Sequence, residues 1–209
     1  MIILVYILLL ILVSCKPSYS EYTIDDQYSL ARARIDGMKE QLSFSFTLEK
    51  NIIHLRDPIL FIAHFTNKTN SQIMLRTPQQ SGVLDINHPN TSLEYSITPL
   101  DKRVYLWTPL SMLSTPYIFV NPVRSSEFEI LDIHETKDIN LELPDEVYVK
   151  QGETWVESPL PLGQYLINIT YENLYIGYEV EKNSQTYFID ISSWVGQIDA
   201  EPVLLTIVP

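Results

Sequence analysis

One cysteine in 209 residues, Cys15, rules out a disulfide-stapled scaffold and a metal site built from several thiolates. Glycine is scarce at six residues, far below the one in about three of a collagen-like repeat. Cations are few as well: 14 Lys plus Arg stand against 26 Asp plus Glu, a formal charge of -12. Nucleic-acid binding needs clustered cations facing phosphates, so no nucleic-acid partner is expected. Catalytic motifs are missing too. There is no GxSxG elbow or SxxK pair to activate a serine, and no GxGxxG or GxxxxGK[ST] loop to cradle a phosphate. The four histidines, His54, His64, His88 and His134, form no HExxH or HxH pair, and no calcium loop occurs. The expectation is therefore no catalytic residue, no metal and no cofactor. A hydrolase built on two carboxylates that meet only in space would leave no motif, and stays open as an alternative.

Hydrophobic residues make up 45% and charged residues 19%, an ordinary globular composition. The longest apolar run opens the chain: MIILVYILLLILVS, residues 1–14, without one charged side chain. As a helix it would rise about 21 Å, short of a hydrocarbon core of about 30 Å. It has the length of a signal-peptide core. It ends Leu12-Val13-Ser14-Cys15. This resembles the bacterial lipoprotein signal, in which a cysteine follows a leucine and two small or aliphatic residues. The resemblance implies a signal peptide over 1–14, cleavage before Cys15, and lipid on the Cys15 sulfur. The protein would then sit in the cell envelope, extracytoplasmic, its membrane partner engaged through that lipid. The acidic body would be repelled by anionic headgroups and stand off the surface.

Residues 15–41 are polar, with no sustained period, and read as a tether with at most a turn or two of helix near Leu30 to Met38. From Leu42 the pattern changes to period two. Leu42, Phe44, Phe46 and Leu48 alternate with Ser43, Ser45, Thr47 and Glu49, which predicts a strand with one apolar and one wet face. Ile59 to Thr66 is apolar on both faces and suits a central strand. After the turn cluster 67–71, Gln72 to Thr77 reads as the strand that pairs back. Leu93 to Thr98, Ile139 to Leu143, Gln164 to Tyr171 and Val203 to Val208 give further strands, with Tyr165, Ile167, Ile169 and Tyr171 facing one way. Arg103 to Trp107 is a shorter run, and residues 174–193 read as a hairpin-like excursion. Five prolines between 89 and 122 mark loops or strand ends. The fold class expected is all-β.

Pro161-Leu162-Gly163-Gln164-Tyr165 resembles the start of the penultimate strand of immunoglobulin-like sandwiches, where a tyrosine hydroxyl caps nearby backbone, the tyrosine corner. Ile59 to Asn67, ending Phe-Thr-Asn, and the tail from Trp194 to Ile207 are similar to core and closing strands of bacterial domains of that class. The resemblance implies an immunoglobulin-like antiparallel β-sandwich over 42–209, with residues 99–137 as an inserted irregular segment. It implies no activity, since sandwiches host many.

His64 shares a strand face with Leu60 and Ile62 and reads as a core or interface histidine. Three N-x-[ST] sequons, at Asn67, Asn90 and Asn168, read as chance occurrences. The candidate binding surface is aromatic: Tyr175, Tyr178, Tyr187 and Trp194, between the last two clear strands. Exposed, these rings would serve a protein or a glycan partner; otherwise they cover the sandwich edge. The functional expectation is a non-enzymatic, lipid-anchored envelope binding or structural module engaging a protein partner. A carbohydrate-binding module using these aromatics is the alternative beside the hydrolase.

Overall fold

The structure is a computed structural model, and it describes residues 21–78, 93–107, 123–143 and 146–209. The signal-peptide segment, Cys15, His88, Asn90 and part of the expected insertion lie outside those residues. Strand β1 (Glu21–Tyr22) and helix α1 (Ile24–Met38) come first. Then follow β2 (Leu42–Leu48), β3 (Ile52–His54), β4 (Ile59–Asn67), β5 (Ile73–Arg76), β6 (Leu93–Pro99), β7 (Leu106–Trp107), β8 (Phe128–Leu131) and β9 (Thr136–Leu143). The last third holds β10 (Glu146–Gln151), β11 (Thr154–Pro159), β12 (Gly163–Asn173), β13 (Gly177–Lys182), β14 (Gln185–Asp190), β15 (Gly196–Asp199) and β16 (Val203–Val208).

Two sheets carry the core. The first is antiparallel, in the order β2-β4-β9, with Phe44 opposite Phe65 and Ala63 opposite Ile139. The second places β12 between β6 and the pair β15/β16, and adds β3 parallel to β16. Side chains alternate across a strand, so every second residue points inward. Phe44 and Phe65 of the first sheet meet Tyr171 of the second at ring-centre distances of 5.9 and 4.9 Å. Phe61, Ala63, Phe65, Tyr165, Ile167, Ile169, Tyr171 and Leu205 are all at most 1% exposed. Three strands facing five, with β3 lying parallel to the last strand, make an all-β sandwich. The expected tyrosine corner is present. The Tyr165 hydroxyl donates to the Pro161 carbonyl at 2.7 Å, and burial pushes its pKa up to about 12.

The strand after the first turn does not pair back as expected. β5 pairs with β8, because β2 and β9 already occupy both edges of β4 and a strand has no third. Asn67 turns the chain away. It is fully buried; its Nδ2 donates to the carbonyls of Ser71, Leu131 and Asp132, and its Oδ1 accepts from the Thr69 N–H and hydroxyl. Its amide thus serves as a structural bracket for the chain turn. Asn168 is half-buried and its Nδ2 donates to Ser96 Oγ.

Residues 24–38, expected to be mostly irregular, form a helix docked on the sandwich. Thr23 caps its start by accepting from the Asp26 N–H, and Asp25 and Asp26 complement the positive end of the helix dipole. No broad apolar stripe announces this helix; long-range contacts hold it. Gln27 is fully buried, its amide donating to the Leu174 carbonyl and accepting from the Ile176 N–H. Arg34 grips Asp190 through two hydrogen bonds, of 3.0 and 2.6 Å. Ala31 packs with Ile176 and Val195.

The excursion over 174–193 is a hairpin, β13–β14, closed by a two-residue turn at Asn183 and Ser184, both with positive φ. β1 extends it by pairing with β14. At Gly177 no side chain fits: a Cβ would overlap the Ile189 carbonyl oxygen.

Candidate binding surface

The four aromatics expected to form a binding surface are dispersed. Trp194 is 1% exposed. Its ring stacks on Tyr171 at 5.4 Å and its indole N–H donates to the Met38 carbonyl at 2.8 Å, so it belongs to the core and offers no face to a ligand. Tyr175 is half-buried, stacked near Phe188, with the Arg76 guanidinium 4.7 Å from its ring centre. Burial, then the neighbouring Tyr28, raises its pKa. Tyr178 and Tyr187 come together on one face of the β13–β14 hairpin, both half-buried, and the Tyr187 hydroxyl donates to Gln185.

Behind Tyr175 lies an ion pair removed from water. Arg76 donates through Nε and Nη2 to Glu127 Oε2 at 3.0 and 2.7 Å, and both side chains are at most 5% exposed. Glu127 Oε1 accepts from the Arg124 N–H, and the Tyr171 hydroxyl donates to the Arg76 carbonyl. These bonds tie β5, the 3-10 turn Ser125–Glu127 and β12 together.

His64 does not face the core. It stands on the outward face of the first sheet, Nε2 2.9 Å from the Thr47 hydroxyl and Nδ1 2.7 Å from Asp138. A hydroxyl, an imidazole and a carboxylate in line have the composition of a nucleophilic triad. The backbone of β4 itself supplies no oxyanion donors to it. The backbone N–H groups of β4 are committed to its two neighbours and lie in the plane of the sheet. None points above it, where a developing oxyanion would need donors. Among the described residues, no group of three or more His, Cys, Asp or Glu side chains could hold a metal ion.

On the outward face of the second sheet, Glu172 neighbours Glu94. Its carboxyl is raised above the usual range, first by burial and then by the negative charge of Glu94. Such a group binds protons more tightly in the folded chain than in the unfolded one. It costs nothing below the ordinary glutamate value of about 4.3, and the cost grows as pH rises through the folded value. The Tm of Glu172→Gln relative to wild type is therefore expected to rise between pH 3.5 and pH 7, by no more than about 1 kcal/mol equivalent for a half-buried group. A gap that stays constant with pH refutes this.

Among the described residues, the exposed aromatics lie elsewhere, on or next to a three-stranded sheet in the order β11-β10-β7. A two-residue turn at Gly152 and Glu153, with Gly152 at φ +64°, closes the β10–β11 hairpin. One face of this sheet is anchored: Val147 is fully buried, and Leu106 and Val149 pack against the core. Alternation sends Tyr148, Lys150, Trp155 and Glu157 to the other face. Lys150 pairs with Trp155 on one side, and on the other its N–H donates to the Tyr105 carbonyl at 3.0 Å. The Lys150 ammonium lies 5.8 Å from the Tyr105 ring centre. Tyr105 is 60% and Trp155 47% exposed, so the row Tyr105–Lys150–Trp155 presents two rings to solvent with a cation between them. Sequence reasoning passed over it, although a Gly-x turn between Val147-Tyr148-Val149 and Trp155-Val156 is a readable hairpin signal.

The fold and this face define an all-β sandwich carrying a side sheet with an exposed aromatic row. Compared with known proteins, the chain matches no family model, no curated protein and no solved structure.

Proposed function

We propose that this chain is a non-enzymatic binding module of the cell envelope, held to a membrane by lipid on Cys15, which engages its partner through the exposed face of β7, β10 and β11. The observation that carries the binding role is the row of Tyr105, Lys150 and Trp155. Large rings left half in water on a rigid sheet cost solubility, and they give much contact area for little ordering entropy. The opposite face of the same sheet is locked to the core, so the row is held in place before a partner arrives. Anchoring rests on the apolar run of residues 1–14 leading into Leu12-Val13-Ser14-Cys15. Each buried CH2 of an acyl chain contributes about 0.8 kcal/mol, so two or more chains hold a protein firmly. The charge of -12 keeps the body off anionic headgroups and leaves the row clear for a partner.

Two measurements test this reading. The N-terminal peptide of protein taken from membranes is expected to begin at Cys15 and to carry added acyl mass. Cys15→Ser is expected to abolish incorporation of labelled fatty acid and to move the protein out of the membrane fraction. An unmodified Cys15, or unchanged labelling in Cys15→Ser, removes the anchor from the proposal.

A further inference from the structure

Resting on the lipid anchor of the reading above, we propose that the molecule stands on the membrane by its β1–α1 end and presents Tyr105, Lys150 and Trp155 at the opposite end. Strand β1 begins at Glu21, six residues after Cys15 (21 minus 15). Six residues reach at most about 22 Å when fully extended. The reach stops there, because β1 and α1 are fastened to the body. Glu21 and Tyr22 pair with Ile189 and Phe188 of β14. Gln27 holds the backbone at Leu174 and Ile176, and Arg34 holds Asp190. The Lys182 ammonium of the β13–β14 hairpin lies 3.2 Å from the Glu21 carboxylate. An acylated Cys15 therefore keeps β1, α1 and this hairpin beside the bilayer.

Strand β12 sets how far the aromatic row lies from that end. Its Asn173 end is the anchored one: Asn173 donates to the Trp194 carbonyl, and the Trp194 indole donates to Met38 at the end of α1. Its other end is Gly163, ten strand steps away (173 minus 163), or about 33 Å. The side sheet joins the body at the Gly163 end. β11 stops at Pro159, four residues before Gly163 (163 minus 159). β6 brings Pro99 opposite Tyr165, and the Leu100 N–H donates to the Gln164 carbonyl just before the chain enters β7. A short tether alone would let the body lie on its side. Charge opposes this on an anionic surface: the outward face of the β12 sheet carries Glu94 and Glu172, and the chain carries -12. The row thus meets a partner that arrives from the aqueous side, and a molecule confined to the headgroup layer does not reach it.

The test uses the acylated full chain in vesicles of phosphatidylcholine and phosphatidylglycerol. Cys15 is the only cysteine and its sulfur carries the lipid, so Lys182→Cys and Glu153→Cys each offer one thiol for a fluorophore. Lys182 marks the anchored end and Glu153 the β10–β11 turn. Energy transfer to a headgroup acceptor is expected to place the Glu153→Cys label further out than the Lys182→Cys label by about 20 Å or more, most of the β12 span. Equal distances, or the reverse order, overturn the proposal. A Gly-Ser insertion of about twenty residues after Ser20 gives the tether a coil reach near the length of β12, and is expected to erase the difference. A difference that survives the insertion also overturns it, since the short reach would then not set the orientation. The N-terminal mass of the same sample separates two failures. Without acyl mass on Cys15 the anchor falls and the orientation with it; with acyl mass and equal distances, the orientation alone falls.

Discussion

Trp194→Ala is expected to remove about 3–5 kcal/mol of unfolding free energy, a large part of the 5–15 typical of a domain. Three losses combine at this position. The indole is 1% exposed, so its removal opens a cavity that the surrounding sheets fill only in part. Its stack on Tyr171, 5.4 Å between ring centres, disappears, and with it one link in the aromatic line that joins the two sheets. The Met38 carbonyl at the end of helix α1 also loses the indole N–H and keeps only the Gln41 N–H. Gly196 shows how tightly the ring is held: a Cβ there would come within 2.9 Å of it. Trp194→Phe keeps most of the volume and loses the hydrogen bond, so it is expected to fall between wild type and alanine. Urea unfolding followed by circular dichroism gives the comparison. A loss below about 1 kcal/mol, the size of an ordinary surface change, would mean that the ring is not core.

The second large effect concerns Arg76 and Glu127. Either single truncation, Arg76→Ala or Glu127→Ala, is expected to cost about 3–5 kcal/mol, because each strands the other charge away from water. The double replacement Arg76→Met with Glu127→Leu is expected to recover most of that loss. It removes both desolvated charges and keeps apolar volume. The recovery falls short of complete, since Glu127 also accepts from the Arg124 N–H. Additive single and double losses in a double-mutant cycle would show that the two side chains do not act as a pair. The binding face lies on a different sheet, so binding by Trp155 and Tyr105 is expected to survive any of these changes that leaves the chain folded.

The strands of the core were legible because their signal is local. Leu42, Phe44, Phe46 and Leu48 alternate with polar residues, and the strand they predict matches β2. The doubly apolar run from Ile59 is β4, central in its sheet, and the Pro-x-Gly turn before Tyr165 delivers the hydroxyl to the Pro161 carbonyl. Three features were not legible for the same reason in reverse. β5 takes β8 as its partner only because β4 has no edge left. Helix α1 lacks a broad apolar stripe and is held by Gln27, Arg34 and the Trp194 indole, whose partners lie about 150 residues away. The β10–β11 hairpin is short and its outward residues are mixed, so its alternation reads weakly even with Gly152 in the turn.

The candidate site divides along the same line. Aromatic residues near the C-terminus and the pair of aromatic runs around Gly152 look equally available in a linear reading. Burial depends on which surfaces meet, and residues distant in the chain supply those surfaces. Trp194 is enclosed by β12 and the end of α1, while Trp155 has its own strand on the free edge of a side sheet. Period-two alternation and the Pro-x-Gly turn were enough for an all-β class and for most core strands, since each acts on neighbours a few residues apart. Edge pairing, helix docking, the enclosed ion pair and the choice of which rings reach solvent belong to the folded chain alone. They follow from edges and faces that exist only once the sheets have assembled.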